Sequence, residues 1–160
     1  MTNLLRPCRP GDTADILDII NDGARAYCGV VPPDCLHSPY MTLAELEAEM
    51  AAGVVFHGCE IDDCLVGVMG LQAVRDVHLV RHAYVRTTHQ GRGVGGRLLT
   101  TLRAGKGRLL VGTWAAADWA VAFYRRHGFT LVEGERKTAL LQSYWTVSTR
   151  QAEVSVVLEL

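Results

Sequence analysis

Residues 89–97 read HQGRGVGGR, four glycines in nine positions, and lead straight into the run LLTTLRAG. A glycine-rich turn between a strand and a helix suits one task above others. Without Cβ atoms the backbone N–H groups can converge on an anion, and the first turn of the helix adds its partial positive charge. Phosphate or pyrophosphate is the natural guest. Gly91, Gly93 and Gly96 also spell G-x-G-x-x-G, the dinucleotide fingerprint. That fingerprint sits on a tight turn after the first strand of a doubly wound sheet, with an acidic ribose ligand about 20 residues on. Here five residues, RTTHQ, separate Val85 from Gly91, and the loop falls past mid-chain. Asp118 has roughly the right offset but stands at the opening of a helix, beyond the next strand. The match is therefore a coincidence of register. A Walker loop fails too, because no G-K-S/T follows.

Other ligand patterns are absent. The five cysteines include no C-x-x-C pair, and the six histidines show no ligand spacing, so neither a disulfide framework nor a metal site is expected. Formal net charge is −1 with no basic run, which argues against a nucleic-acid surface. No apolar stretch reaches the roughly 18 residues needed to span a bilayer. The start, MTNLLRPCRPGD, lacks the apolar block of a signal peptide. A cytoplasmic protein with one domain over residues 1–160 is expected, with 49% hydrophobic residues to build its core.

The elements that must position the loop follow from periodicity. NLLRPCRPGD reads as a strand entering a loop, with Asp12 or Thr13 able to cap a helix. Ile16, Leu17, Ile19, Ile20, Ala24 and Tyr27 then form one stripe at helical spacing. VVPPDCLHSPYM holds three of the five prolines and is a loop. Thr42 and Glu45 have capping-box spacing for a second helix through Met50, ended by Gly53. VVFHGCEI, CLVGVMGLQAV and VHLVRHAYV read as strands, turned at Asp62-Asp63 and Arg75-Asp76. After the glycine loop come a helix, the strand RLLVGTWA, the helix DWAVAFYRRHG with Gly128 at a left-handed cap, and the strands FTLV and EVSVVLEL. Residues 133–152 are polar and show no clear pattern. The meander implies antiparallel strands, whereas the strand–helix–strand step from 77 to 115 demands a parallel pair with a right-handed crossover.

A second frame in the loop, Gln90-Gly91-Arg92-Gly93-Val94-Gly95, reads Q-x-x-G-x-G. With HAYV upstream and AVAFYRRHGF downstream, it resembles the Gcn5-related N-acetyltransferase (GNAT) superfamily over nearly the whole chain. The resemblance implies an α/β fold: a mixed, mostly antiparallel sheet of about seven strands, flanked by about four helices, whose fourth and fifth strands splay apart. It implies acetyl-CoA as cosubstrate, its pyrophosphate cradled by Gln90, Gly91, Arg92, Gly93, Val94, Gly95 and Gly96. Its pantetheine arm would pair with the backbone of Ala83, Tyr84 and Val85, and Gly112 to Trp114 would line the same slot. Tyr124, with Ala120, Gly128 and Phe129, matches the family's A-x-x-x-Y-x-x-x-G-F pattern and implies a general acid that also contacts the cofactor. Ala117 stands where the family often has an asparagine.

An attacking amine must be neutral, so a base is needed. The position of the glutamate that serves in some relatives holds Leu79; His82, Arg81, His78 and Glu60 are alternatives, with His82 the candidate. By strict alternation His82 points away from the Val85 face unless a bulge intervenes, and Arg81 shares that face and could hold an acidic acceptor. Tyr27, Tyr40, Arg81 and Trp114 are candidate acceptor contacts. The C-terminal stretch is similar to that of bacterial GNAT proteins of undetermined substrate, with Tyr144 and Trp145 serving the site or a dimer contact. The expected activity is acetyl transfer to a primary amine of a small molecule by direct attack in a ternary complex, by a monomer or homodimer. A non-catalytic acyl-CoA sensor on the same fold is the alternative, and a nicotinamide-dependent oxidoreductase a third class.

Overall fold

The structure is a computed structural model that describes residues 3–160. Strand β1 (Asn3–Pro7) leads into α1 (Thr13–Ala24) and α2 (Leu43–Ala51). The meander follows as β2 (Val54–Ile61), β3 (Cys64–Val74) and β4 (Val77–Val85), then α3 (Val94–Arg103), β5 (Leu109–Trp114) and α4 (Asp118–Arg126). The chain closes with β6 (Thr130–Val132), α5 (Gly134–Tyr144), α6 (Thr149–Glu153) and β7 (Ser155–Glu159). One seven-stranded sheet results, in the order β1-β2-β3-β4-β5-β7-β6. Every neighbouring pair is antiparallel except β4 and β5.

Local chemistry sets these boundaries. Asp62 and Asp63 both take left-handed φ, 50° and 65°, the conformation of a two-residue hairpin turn, and they join Ile61 to its partner Cys64. Thr42 and Glu45 form the reciprocal cap of α2, and Gly128 takes φ 93° just past α4. Asp12 does not cap α1 with its side chain. A preceding 3-10 turn over Pro10–Asp12 carries its carboxylate back to the Arg9 N–H, at 2.7 Å, and to the Arg6 guanidinium, also 2.7 Å.

Residues 133–152 hold two helices that apolar periodicity does not reveal, which brings the helix number above the four expected. Only Leu140 and Leu141 are buried in α5, so the chain shows no repeating stripe there. The start of α6 did leave a signal: Ser148 and Gln151 form a reciprocal cap, an S-x-x-Q spacing.

Both faces of the sheet are covered. Leu98, Leu99 and Leu102 of α3, with Tyr124 of α4, pack on Val66, Met69, Val80 and Val111. Ile16, Ile19 and Ile20 of α1 and Leu46 of α2 pack on Val54, Phe56 and Val68 of the other face. Two glycines let the helices lie close on the sheet. A Cβ at Gly67 in β3 would stand 2.7 Å from Cγ1 of Val94, the first residue of α3, and one at Gly23 in α1 would stand 2.7 Å from Cδ1 of Tyr84. Replacing Gly67→Ala forces the start of α3 off the sheet. We expect a loss of about 2 kcal/mol, within the usual range for overpacking. In a thermal melt that is a drop of about 4–8 °C for a chain of this size.

Candidate active site

The glycine loop is a folded bracket. β4 ends at Val85, and a 3-10 turn over Thr87–His89 carries the chain to Gln90. The Gln90 side-chain amide donates back to the Val85 carbonyl at 3.1 Å, and the Thr87 N–H donates to the Asp22 carboxylate of α1 at 2.7 Å. These two bonds account for the five residues between strand and glycine that a tight dinucleotide turn lacks.

The four glycines divide into two tasks. Gly91 and Gly93 take φ 75° and 76°, and a Cβ on either would meet no atom within 4 Å. They give the loop its left-handed turns and leave open space above it. Gly93 is also the N-cap of α3, whose first free N–H groups follow. Gly95 and Gly96 lie inside α3 and let α4 close on it. Cβ atoms there would stand 3.4 Å from the Phe123 ring and 3.0 Å from His127 Nε2.

Two cavities lie where β4 and β5 part. Their parallel pairing covers only His78–Val80 against Leu109–Val111. The larger cavity, of about 650 Å³, runs from the glycine loop along Ala83, Tyr84 and Val85 to Tyr124. Gln90, Gly91, Gly93, Val94, Gly95 and Gly96 all border it; Arg92 is exposed beside the loop and does not. The smaller, of about 210 Å³, brings together Tyr27, Tyr40, Arg81, His82 and Trp114. Tyr27 and Tyr84 line both, and their hydroxyls are 3.3 Å apart. Gly112, Thr113 and Trp114 border the smaller cavity and not the larger slot for which the resemblance implied them. Past Val111 they diverge from β4 and turn toward the C-terminal segment, where a Gly112 Cβ would meet the Trp145 ring at 3.4 Å.

Tyr124 is buried, its ring edge-on to Phe123 and Phe129. Burial, with the nearby Tyr27, pushes its hydroxyl far above the ordinary phenol range, so it stays protonated. Burial likewise raises Tyr27, to about 12, with Tyr40 adding to the rise and the Tyr84 hydrogen bond opposing it. Ala117 is fully buried beside Ala24 and Tyr27 and caps α4 with its carbonyl alone, so the asparagine contact has no equivalent at that position.

The bulge that alternation left open does exist. Gly70 faces Arg81 and Val68 faces Tyr84, so His82 and Ala83 together oppose Met69. His82 takes a left-handed φ of 52°. The extra residue keeps His82 opposite Val85 and carries Arg81 across with it, which corrects the face expected for Arg81. His82 stacks on Phe56, with ring centroids 6.2 Å apart, and its Nε2 is hydrogen-bonded to a Glu49 oxygen. Arg81 donates to the other Glu49 oxygen at 3.0 Å and to Gln72 at 2.9 Å. Burial works to raise the Glu49 carboxyl, but the His82 hydrogen bond and the electrostatic pull of His82 and Arg81 outweigh it and hold the group below its usual range.

The other candidates for the base are placed elsewhere. Leu79 is fully buried among Leu110, Leu140 and Leu141. Glu60 pairs with Arg6 at 2.8 Å near the β1 edge, and His78 sits at the far end of β4 from the loop. Tyr144 donates to Asp76 at 2.6 Å and lies under the Arg75 guanidinium, outside both cavities, whereas Trp145 borders the smaller one. Glu49 was not anticipated. It lies 33 residues before His82 on another element, and no local spacing links the two.

The architecture has close counterparts among solved structures. The PaiA N-acetyltransferase of Thermoplasma acidophilum, in complex with coenzyme A, aligns with a TM-score of 0.73 at 14% identity, covering 99% of this chain and 98% of that one. The ribosomal-protein-S18-alanine N-acetyltransferase of Escherichia coli aligns with a TM-score of 0.69 at 15% identity, over 99% and 93%. The yncA structure from Salmonella typhimurium, with its cofactor acetyl-CoA, gives 0.66 at 19%, over 100% and 94%. At these identities the likeness is one of fold. No curated protein matches in sequence. A family model for the acetyltransferase (GNAT) domain matches residues 52–131, half of the chain, from the second strand through the glycine loop to β6. With the loop, the parting strands and the sequence model in agreement, the chain belongs to the GNAT family of acetyltransferases.

Proposed function

We propose that residues 1–160 form one acetyl-CoA-dependent N-acetyltransferase domain that acts on a primary amine of a small molecule by direct attack in a ternary complex. The observation that carries this reading is the meeting of two cavities at Tyr27 and Tyr84, one under a glycine loop and one lined by polar and aromatic groups. Open space above Gly91 and Gly93, at the N-terminus of α3, suits a pyrophosphate. Gln90, Gly91, Gly93, Val94, Gly95 and Gly96 would hold it, with the exposed Arg92 beside them. The main chain of Ala83, Tyr84 and Val85, which pairs with no β5 residue, would hold the pantetheine arm.

Acetyl-CoA, when bound, supplies an activated thioester. His82 takes a proton from the amine as the N–C bond forms, and Tyr124 gives a proton to the sulfur as the C–S bond breaks. The high proton affinity that burial confers on Tyr124 keeps that proton in place until a thiolate develops. Tyr27, Tyr40 and Trp114 wall the acceptor side, and the small volume there favours a compact amine over a peptide segment. Five free cysteines suit a cytoplasmic enzyme.

Tyr124→Phe should lower kcat about 100-fold, within the usual span for a lost acid, and leave coenzyme A affinity within about threefold. Thiol release across a panel of amines measures the first and calorimetry the second. Tight coenzyme A binding with no turnover of any amine by the unaltered protein would instead make it a sensor. Gly93→Val places a β-branched residue at φ 76° and strains the loop by about 1–2 kcal/mol. The Kd for coenzyme A should rise about tenfold or more. NAD(H) should not bind; binding of NAD(H) in place of coenzyme A would overturn the reading.

A further inference from the structure

The acid–base chemistry proposed above depends on how one imidazole is held, and the structure shows a device for holding it. An ionised carboxylate can only accept hydrogen bonds, so the Glu49 contact places a proton on His82 Nε2 and leaves Nδ1 as the nitrogen free to take another. The two Glu49 oxygens are divided, one to His82 and one to Arg81. Arg81 is fixed in turn by Gln72, and the imidazole by the Phe56 ring on its face. A left-handed, non-glycine residue in a strand is strained, and such strain gathers where neighbours over-determine a functional geometry. Here the φ of 52° at His82 brings two consecutive side chains onto one carboxylate.

We propose that Glu49 is a positioning residue: it sets the tautomer and direction of His82 and balances the charge that His82 gains when it accepts the amine proton. Arg81 is then part of the clamp, and recognition of the acceptor falls to Tyr27, Tyr40 and Trp114. This rests on the acetyltransferase reading with His82 as its base. The groups facing His82 are Glu49 from α2, Arg81 beside it in β4, the neutral Phe56 from β2, and Tyr27, Tyr40 and Tyr84 across the small cavity.

The experiment compares the unaltered protein with Glu49→Gln, Glu49→Asp and His82→Ala, using acetyl-CoA and the best amine from the acceptor panel. In ¹⁵N-histidine spectra, the signal lost in His82→Ala should show the proton on Nε2, and Glu49→Gln should disturb that pattern. Glu49→Gln should lower kcat about tenfold, with the KM for acetyl-CoA unchanged. It should also move the acid limb of the kcat/KM profile about one pH unit lower, because Arg81 then faces the imidazole without a compensating charge. Glu49→Asp keeps that charge but withdraws the oxygen from Nε2; it should show the lowered kcat with a smaller shift, and it carries the test if the Gln variant does not fold. If His82→Ala loses activity while both Glu49 variants retain the kcat, pH profile and spectrum of the unaltered protein, the positioning role is overturned and the base reading stands. If His82→Ala keeps full activity, both are overturned.

Discussion

Between Arg81 and Tyr84, β4 carries one residue more than the strand it pairs with, and the rest of the site depends on that insertion. A regular strand alternates faces, so Arg81, Ala83 and Val85 would lie together, with His82 and Tyr84 on the other side. With the bulge, Ala83 and Val85 stay on the α3 side, next to the glycine loop, while Arg81 and His82 both turn toward α2. One backbone irregularity thus supplies the large cavity with a main-chain edge and the small cavity with its ionisable groups. The left-handed conformation at His82 costs about 1–2 kcal/mol. Its stack on Phe56 and its bond to Glu49 are contacts of the size needed to offset that.

The second constraint is where the parallel pair stops. Three residues of β4 meet three of β5, and the strands then part. Tyr27 stands across the opening, with its ring 5.5 Å from Tyr40, 6.4 Å from Trp114 and 6.0 Å from Trp119. It reaches that place because α1 does not stop cleanly but continues as a 3-10 turn over Arg25–Tyr27. The closeness of α1 to β4, which Gly23 allows against Tyr84, brings the Tyr27 and Tyr84 hydroxyls together at the junction of the cavities. A stripe of isoleucines that buries α1 therefore also sets the position of an aromatic gate 7 residues beyond Ile20.

What was legible in the sequence was what is local. The three meander strands are bounded to the residue by their turn residues, since the two-residue hairpin at Asp62-Asp63 fixes where β2 ends and β3 begins, although a bulge beside Cys59 shifts the register farther along. The glycine loop was legible because strand, glycines and helix are contiguous, and the Q-x-x-G-x-G frame contains the Gln90 that ties the loop to Val85. The helices after Glu133 were not, since α5 buries two leucines only, with Lys137 and Tyr144 half-buried and the rest exposed. Arg81 was put on the wrong face because a bulge reverses the parity of every residue beyond it, and nothing in VHLVRHAYV marks its place. Glu49 was invisible for a different reason. Its role is created by tertiary packing of α2 on β2, and on its own helix it looks like any solvated glutamate.

The electrostatics of that triad follow from its geometry. Glu49 carries one charge and Arg81 the opposite one, 3.0 Å apart, so their attraction offsets part of the cost of half-burying the carboxylate. In the proposed transfer the imidazole gains a positive charge. A carboxylate that had to swing in from solvent would meet that charge only after reorganising, and the proton would be harder to accept. Glu49 is already aimed at Nε2, with its second oxygen held by Arg81 and its own proton affinity lowered by both partners. The stabilisation is therefore in place before the charge appears, which is the arrangement that makes a fixed dipole more effective than water. Arg81 also limits the gain, because its charge opposes the imidazolium at short range. In the proposed transfer Glu49 offsets the charge that His82 gains, and Arg81 works against that offset.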